Sequence, residues 1–201
     1  AAHVTPLLGD VPVAGLLVEV CHCGSCDISS SNNGVTDSDG RVTITAHAIN
    51  QNAELCVRAS GDGILSTVKW SGRPLYPGDA WVEVPVIHLQ QLPSAAALMG
   101  VDIEVDRAHI LVVARDCWDG FGGGLEVTAS NAEATTSFHY FPGLKTGQAT
   151  TDTASGHVWI VNLPEGVTTL AGSANGIEVA RQSVVTAAGS LSIVNLYPST
   201  K

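Results

Sequence analysis

Short runs of apolar residues recur along the chain at intervals of about 8 to 15 residues, and Gly, Asn, Asp and Ser separate them. Within the runs apolar and polar positions alternate, as at Val42 and Ile44 or at Val158 and Ile160. A period of two predicts β-strands, and many short strands between polar turns are typical of an all-β sandwich. The predicted strands are 16–22, 41–47, 54–59, 64–70 and 81–88, then 108–115, 124–130, 136–141, 157–162, 168–174, 177–185 and 190–197.

The two halves of the chain carry similar landmarks in the same order. A polar turn closed by Gly precedes alternating apolar residues in both Thr36–Ile44 and Thr151–Ile160. Upstream, the Gly-Leu pair in Val13–Val18 matches the one in Gly122–Val127. Repeats of this length are domains rather than solenoid units. The sequence therefore predicts one sandwich over 1–92, a linker over 93–105 with a short helix at Ser94–Met99, and a second sandwich over 106–201.

The start of the first copy differs from the start of the second. His3–Leu8 is a poorer strand pattern than its counterpart Ala108–Arg115, and Pro6 would interrupt a central strand. We therefore expect the first strand to be missing from the first copy. The open edge would then accept a strand from another subunit, giving an oligomer or filament by β-augmentation.

Three motifs resemble the carboxypeptidase regulatory-like domain, a member of the prealbumin-like (transthyretin-like) β-sandwiches. They are Pro12–Gly15, Thr36–Ile44 and Ser60–Gly63, and Asn162–Gly166 resembles the N-x-P-x-G motif of the same family. The second half is also similar to domains of exported myxobacterial-type proteins, through Gly100–Asp102, Arg107–Ile110 and Asp116–Cys117. The resemblance implies two tandem prealbumin-like or Ig-like Greek-key β-sandwiches. Its motifs are mainly turn signals, so they specify a fold better than an activity.

Composition narrows the class of partner. Nine basic and 19 acidic residues give a net charge of 9 − 19 = −10, and 45% of the residues are hydrophobic. The apolar content excludes a disordered chain, and the scattered Lys and Arg offer no basic patch for nucleic acid. No apolar run approaches the ~18 residues of a membrane-spanning helix.

Five cysteines, Cys21, Cys23, Cys26, Cys56 and Cys117, point to an oxidising compartment. The first four are the disulfide candidates: Cys21 or Cys23 would bond to Cys56 on a neighbouring strand, or Cys26 would close the local hairpin. Cys117 is then the odd thiol, either buried and inert or paired with another molecule. We expect a secreted, periplasmic or cell-surface protein, with a lipid anchor compatible with the sequence.

A metal site is the alternative use of the cysteine cluster. Thiolates of Cys21, Cys23 and Cys26 would suit Zn²⁺ or Cu⁺, with His22, His47 or Cys56 as a fourth ligand. Asp37 and Asp39 resemble the start of a Ca²⁺ loop, but position 48 is Ala where an EF-hand loop needs Glu. The competing interpretation of the two aspartates is a turn whose carboxylates cap backbone N–H groups. No cofactor is part of the main prediction.

Two tryptophans adjoin predicted loops, Trp70 and Trp118, and are candidates for stacking on a sugar ring. The G-x-S-x-G and P-loop motifs are missing, so no enzyme is predicted. The main hypothesis is a non-catalytic exported structural, adhesion or assembly protein that self-associates by strand addition and binds other proteins. The alternatives are a carbohydrate-binding module and a Cu- or Zn-binding protein.

Overall fold

The computed structural model describes residues 2–7, 12–23, 32–45, 55–70, 82–141 and 149–199. The chain divides into two compact units, Ala1–Leu92 and Pro93–Lys201. Both units are built from β-strands, and one α-helix, α1 (Leu92–Met99), lies where the first unit ends and the second begins. Among the described residues, no helix has the length and apolar character needed to cross a membrane.

The first unit contains seven strands in two sheets. The strands are β1 (Ala2–Pro6), β2 (Leu17–His22), β3 (Asn33–Val35), β4 (Arg41–Val42), β5 (Leu55–Ser60), β6 (Ser66–Trp70) and β7 (Val82–Val86). One sheet has the order β4-β1-β7, and the strands of the other follow the order β6-β5-β2-β3. Alternate residues of both sheets meet in one apolar core that includes Val4, Val18, Val57, Val84 and Val86. Burying this shared apolar area is the main favourable term that holds the two sheets together.

The second unit also has seven strands in two sheets. The strands are β8 (Ala108–Ala114), β9 (Glu126–Ala129), β10 (Ser137–Tyr140), β11 (His157–Leu163), β12 (Gly166–Ala174), β13 (Ile177–Thr186) and β14 (Ser190–Leu196). Their orders are β10-β11-β8-β14 and β13-β12-β9. The hydroxyl of Tyr140 connects the two sheets, since it accepts the N–H of Val127 at 3.0 Å.

The expectation that the first unit lacks its first strand is wrong. Residues Ala2–Pro6 form β1, which lies antiparallel to β4 and parallel to β7. The N–H of Val4 donates towards β4, to Gly40, and that of Leu7 donates towards β7, to Val86. Because N–H directions alternate along a strand, Pro6 faces the β4 side, where pairing with β4 ends at His3. Its missing donor therefore costs no ladder hydrogen bond.

The same pairing arrangement recurs in the second unit. Strand β8 lies antiparallel to β11 and parallel to β14, as β1 does to β4 and β7. The strands expected from the alternation pattern occur in the described residues, and the expected strand over 41–47 ends at Val42. The helix begins two residues before the expected Ser94, because Pro93 fits the first turn, where no N–H is needed.

A buried threonine joins two loops of the first unit, in what we call the Thr36 cluster (Thr36 with Val13, Gly15 and Leu16). The Thr36 hydroxyl accepts the N–H of Leu16 at 2.9 Å and donates to the carbonyl of Val13 at 2.9 Å. Its backbone N–H donates to Leu16 and its carbonyl accepts from Gly15, both at 3.0 Å. Gly15 has φ 76°, a left-handed conformation that favours glycine.

The second unit contains the corresponding Thr151 cluster (Thr151 with Gly122, Gly124 and Leu125). The hydroxyl of Thr151 accepts the N–H of Leu125 at 3.0 Å and donates to the carbonyl of Gly122 at 2.7 Å. The backbone of Thr151 bonds to Leu125 and Gly124 as that of Thr36 bonds to Leu16 and Gly15. Gly124 has φ 75°. The two units thus use the same hydrogen bonds at the same relative positions.

The Thr151 cluster generates a stability prediction. Thr151→Val keeps the side-chain shape but leaves the N–H of Leu125 and the carbonyl of Gly122 without their side-chain partner. We expect the free energy of unfolding to fall by about 1–3 kcal/mol in equilibrium urea denaturation. The matched control is Thr153→Val, which replaces an exposed threonine two residues away and is expected to have little effect. Equal effects of the two variants would show that the cluster contributes no stability of its own.

Candidate functional site

One loop of the second unit presents an exposed aromatic side chain beside an exposed thiol. We call residues 115–121, which connect β8 towards β9, the Trp118 loop. Its closure depends on Asp116, whose Oδ1 accepts the N–H groups of Trp118 and Gly120, both at 2.8 Å. The N–H of Asp116 in turn donates to the carbonyl of Gly120 at 2.9 Å. A Cβ on Gly120 would lie 2.8 Å from Asp116 Oδ2, so glycine is required for this tight turn.

Further contacts hold the far side of the Trp118 loop. Asp119 has φ 66°, and its carboxylate accepts the hydroxyl of Tyr197 at 2.8 Å. The guanidinium of Arg115 donates to the carbonyl of Asp119 at 3.0 Å and lies 5.0 Å from the ring centroid of Phe121. The loop backbone is therefore fixed at both ends, and it presents its tip in one conformation.

The tip of the Trp118 loop carries the accessible chemistry. Trp118 is 91% exposed. Cys117 is a free and exposed thiol, which overturns the alternative that it is buried and inert. Nearby, the ring of His157 lies 5.4 Å from that of Phe121 and 5.9 Å from that of Phe141. This arrangement provides an apolar stacking surface and a thiol.

Trp70, the other candidate for ring stacking, is a core residue. It is only 4% exposed, because it lies at the end of β6 opposite Cys56 of β5. A buried indole presents no face to a sugar ring. The sequence placed Trp70 next to a loop but could not show which side of the strand its ring occupies.

The cysteine cluster of the first unit is oxidised in this structure. Cys23 and Cys56 form a disulfide across 33 residues of sequence, with Cα atoms 5.0 Å apart. Cys21, opposite Cys56 in the β2–β5 register, is also disulfide-bonded, and Cys26 lies outside the described residues. Disulfide sulfurs are not thiolates, so in this state Cys21 and Cys23 offer no thiolate to Zn²⁺ or Cu⁺. Among the described residues, no group of three or more His, Cys, Asp or Glu could hold a metal ion.

The aspartates considered for Ca²⁺ lie in a turn that continues the Thr36 cluster. Oδ1 of Asp37 accepts the N–H groups of Asp39 and Arg41, both at 2.9 Å. In the second unit Asp152 accepts the N–H of Ala154 in the same way. Asp37 thus caps backbone groups of a turn, and a Ca²⁺ site at Asp37 and Asp39 stays a prediction.

A buried ion pair lies in the same sheet as the disulfide, and the sequence did not indicate it. Glu19 of β2 is 1% exposed and lies directly opposite Arg58 of β5. Two nitrogens of the guanidinium, Nε and Nη2, approach Oε2 of Glu19 at 2.8 Å and 2.6 Å. Separating such a pair would leave a buried carboxylate uncompensated, so the two residues fix the β2–β5 register.

Asn162, in the motif that resembles N-x-P-x-G, is the most connected polar residue described in the second unit. It has φ 61° and lies at a register shift between β11 and β8. Its side chain accepts the N–H of Glu104 at 2.9 Å and donates to the carbonyl of Asp102 at 2.7 Å. Its backbone carbonyl accepts from Thr136 at 3.1 Å. Asn162 therefore fastens the segment expected to be a linker onto the second unit.

The backbone of Asn162 also contacts a buried histidine. The N–H of Asn162 donates to Nδ1 of His109, at 3.4 Å, and His109 is fully buried in β8. Burial lowers the pKa of His109 from 6.5 to about 4, because a charged imidazolium is poorly solvated there. Burial also lowers the pKa of His139 on β10. Both rings are therefore neutral in the folded protein at neutral pH.

These pKa shifts predict that the second unit loses stability as the pH falls. The folded pKa of His109, about 4, lies below its ordinary value of 6.5, so between these values only the unfolded chain binds the proton. Stability is unaffected above pH ~6.5 and declines towards pH ~4, by on the order of 3 kcal/mol from His109. Urea denaturation at a series of pH values measures the slope.

Two variants separate His109 from the carboxylates that also titrate at low pH. His109→Gln, which stays neutral and retains an acceptor for Asn162, is expected to reduce the slope between pH 6.5 and 4. His22→Gln replaces an exposed histidine of the first unit and is expected to leave the slope unchanged. An unchanged slope in His109→Gln would show that His109 does not govern this dependence.

Comparisons with known proteins give a distant structural likeness. No protein-family model matches the chain. No curated protein matches it either. Among solved structures, the shaft pilin SpaA from Lactobacillus rhamnosus GG matches with 12% identity and a TM-score of 0.30, over 100% of this chain and 96% of that one. The Bacillus anthracis TIE protein matches with 10% identity and a TM-score of 0.30, over 100% of this chain but 33% of that one. Neither likeness identifies a family, partner or activity for this chain.

Proposed function

We propose that this chain is a non-catalytic structural or adhesion protein that acts outside the cell and assembles with further copies of itself. It is built from two β-sandwich modules of one type, which the sequence motifs liken to the carboxypeptidase regulatory-like domain. The observation that carries the proposal is the repetition of the Thr36 cluster as the Thr151 cluster. The same four hydrogen bonds, made by a threonine to corresponding residues, support a duplication of one module.

The buried polar groups of both units support a structural role. Thr36, Thr151 and Asn162 direct their side chains to backbone groups of neighbouring loops. Glu19 is neutralised by Arg58 within one sheet. These groups are engaged in holding loops and strands together, which is what a module that transmits position or force requires.

The cysteines support a location outside the reducing cytosol. The Cys23–Cys56 disulfide closes a long loop of the first unit, and such bonds persist in the periplasm or outside the cell. Cys117, exposed beside Trp118, is in position to form a bond to another molecule. We propose an exported protein, secreted, periplasmic or attached to the cell surface.

Self-association is the part of this proposal that a solution measurement tests. We expect size-exclusion chromatography with light scattering to give a mass that rises with concentration above the monomer mass of 20.7 kDa. Cys117→Ser is expected to remove any covalent dimer seen under non-reducing conditions and to leave the concentration-dependent part. A constant monomer mass at high concentration, in the native chain and the variant alike, would contradict assembly.

A second candidate function, glycan binding, is favoured by the 91% exposure of Trp118 on a loop held in one conformation. An exposed indole offers a flat apolar face of the kind that stacks on sugar rings. On a glycan array, we expect Trp118→Ala to weaken any binding roughly tenfold, and Trp118→Phe to retain most of it. Glycan binding that is equal in the native chain and Trp118→Ala would exclude this residue.

A further inference from the structure

The second unit ends one of its sheets with a long strand whose outer edge is only partly covered. Strand β13 (Ile177–Thr186) pairs with β12 on one side. On the other side, the segment after β14 reaches it at one point, where Pro198 bridges Ala180 and Ser199 donates its N–H to Val179 at 2.8 Å. The rest of the strand, residues 181–186, continues beyond this contact.

The backbone direction along β13 follows from that contact. The carbonyl of Val179 points away from β12, so the alternation of an antiparallel strand directs Arg181, Ser183 and Val185 to the same side. Among the described residues, no hydrogen-bond partner faces the backbone of Ser183 or Val185 on that side. The neighbouring residue Val184 points its backbone at β12, where it pairs with Thr168.

The side chains of this segment do not protect the edge. Natural edge strands are shielded by Lys, Pro or inward-pointing charges, and residues 182–186 contain none of these. The charged residue at its start, Arg181, is engaged with Glu178, at 2.8 Å and 2.6 Å. On the solvent face Val185 lies opposite Val167 of β12, and they are 44% and 66% exposed. The edge thus combines unpaired backbone groups with exposed β-branched side chains.

We propose that β13 pairs antiparallel with β13 of a second copy of this chain, about a two-fold axis at Ser183. This inference rests on the proposed self-association and names the surface responsible. In that register Ser183 lies opposite its own equivalent, and Arg181 of each copy lies opposite Val185 of the other. No like charges are opposed, and the contact at Val179 and Ala180 lies outside the paired segment.

The second copy is the occupant that this edge fits because the segment is self-complementary. Its outward N–H and C=O groups alternate about Ser183 in the order that an identical antiparallel strand requires. A two-fold contact uses the same patch on both subunits and closes on itself, as in most symmetric dimers. It joins two three-stranded sheets edge to edge into one.

Amide hydrogen exchange and light scattering test this on the full chain carrying Cys117→Ser, which removes disulfide-linked dimers. We expect the amides of Ser183 and Val185 to become protected as concentration rises, while that of Val184, bonded towards β12, is protected throughout. Ser183→Pro removes an outward donor and is expected to weaken association roughly tenfold or more. The matched control Ser183→Ala keeps the N–H and is expected to associate like the parent.

The possible outcomes separate this inference from the proposal on which it rests. Association without concentration-dependent protection of Ser183 and Val185 would overturn pairing through β13 and leave self-association standing. A chain that is monomeric at every concentration would overturn both. If Ser183→Pro does not fold, the exchange measurement on the parent chain still decides, because it needs no change in β13.

Discussion

The hydrogen bonds of one threonine hydroxyl in each unit connect the parts of the fold that are distant in sequence. Thr36 lies in the turn before β4, and its partners Val13 and Leu16 lie just before β2. Buried N–H and C=O groups in these loops have no strand partner, so without the hydroxyl they would be desolvated and unpaired. The cluster thereby fixes where β2 begins relative to β4, and β4 in turn pairs with β1. In the second unit Thr151 does the same for β9 and β11.

The remaining buried polar residues extend this arrangement from strands to loops. Asn162 holds the segment before β8, and Asp116 closes the Trp118 loop. Each accepts or donates bonds to backbone groups that irregular loops leave unpaired. The accessible chemistry described here is therefore concentrated where the loops end, at Trp118 and Cys117, and along the outer edge of β13. These surfaces suit association with another macromolecule, which is why we argue for assembly or adhesion rather than catalysis.

The sequence predicted the strands well because alternation reports directly which residues face a sandwich core. It also located the Asp-Gly turns, since Asp37 and Asp152 cap backbone groups and Gly40 and Gly156 supply positive φ. It failed at β1, where the proline rule was applied without knowing which side of the strand Pro6 faces. It failed at Trp70 for a similar reason, because burial of a strand residue depends on what covers that face.

What the sequence determined by itself was local: strand positions, turn residues and the correspondence between the two Gly-Leu and Thr-Asp landmarks. These features depend on backbone conformations and side-chain periods that operate within a few residues. Tertiary structure decided which cysteine bonds to Cys56, how Glu19 meets Arg58, and why Asn162 adopts a left-handed conformation. It also decided that Trp118 is exposed while Trp70 is buried. Each of these depends on contacts between residues far apart in the chain, whose register no local pattern specifies.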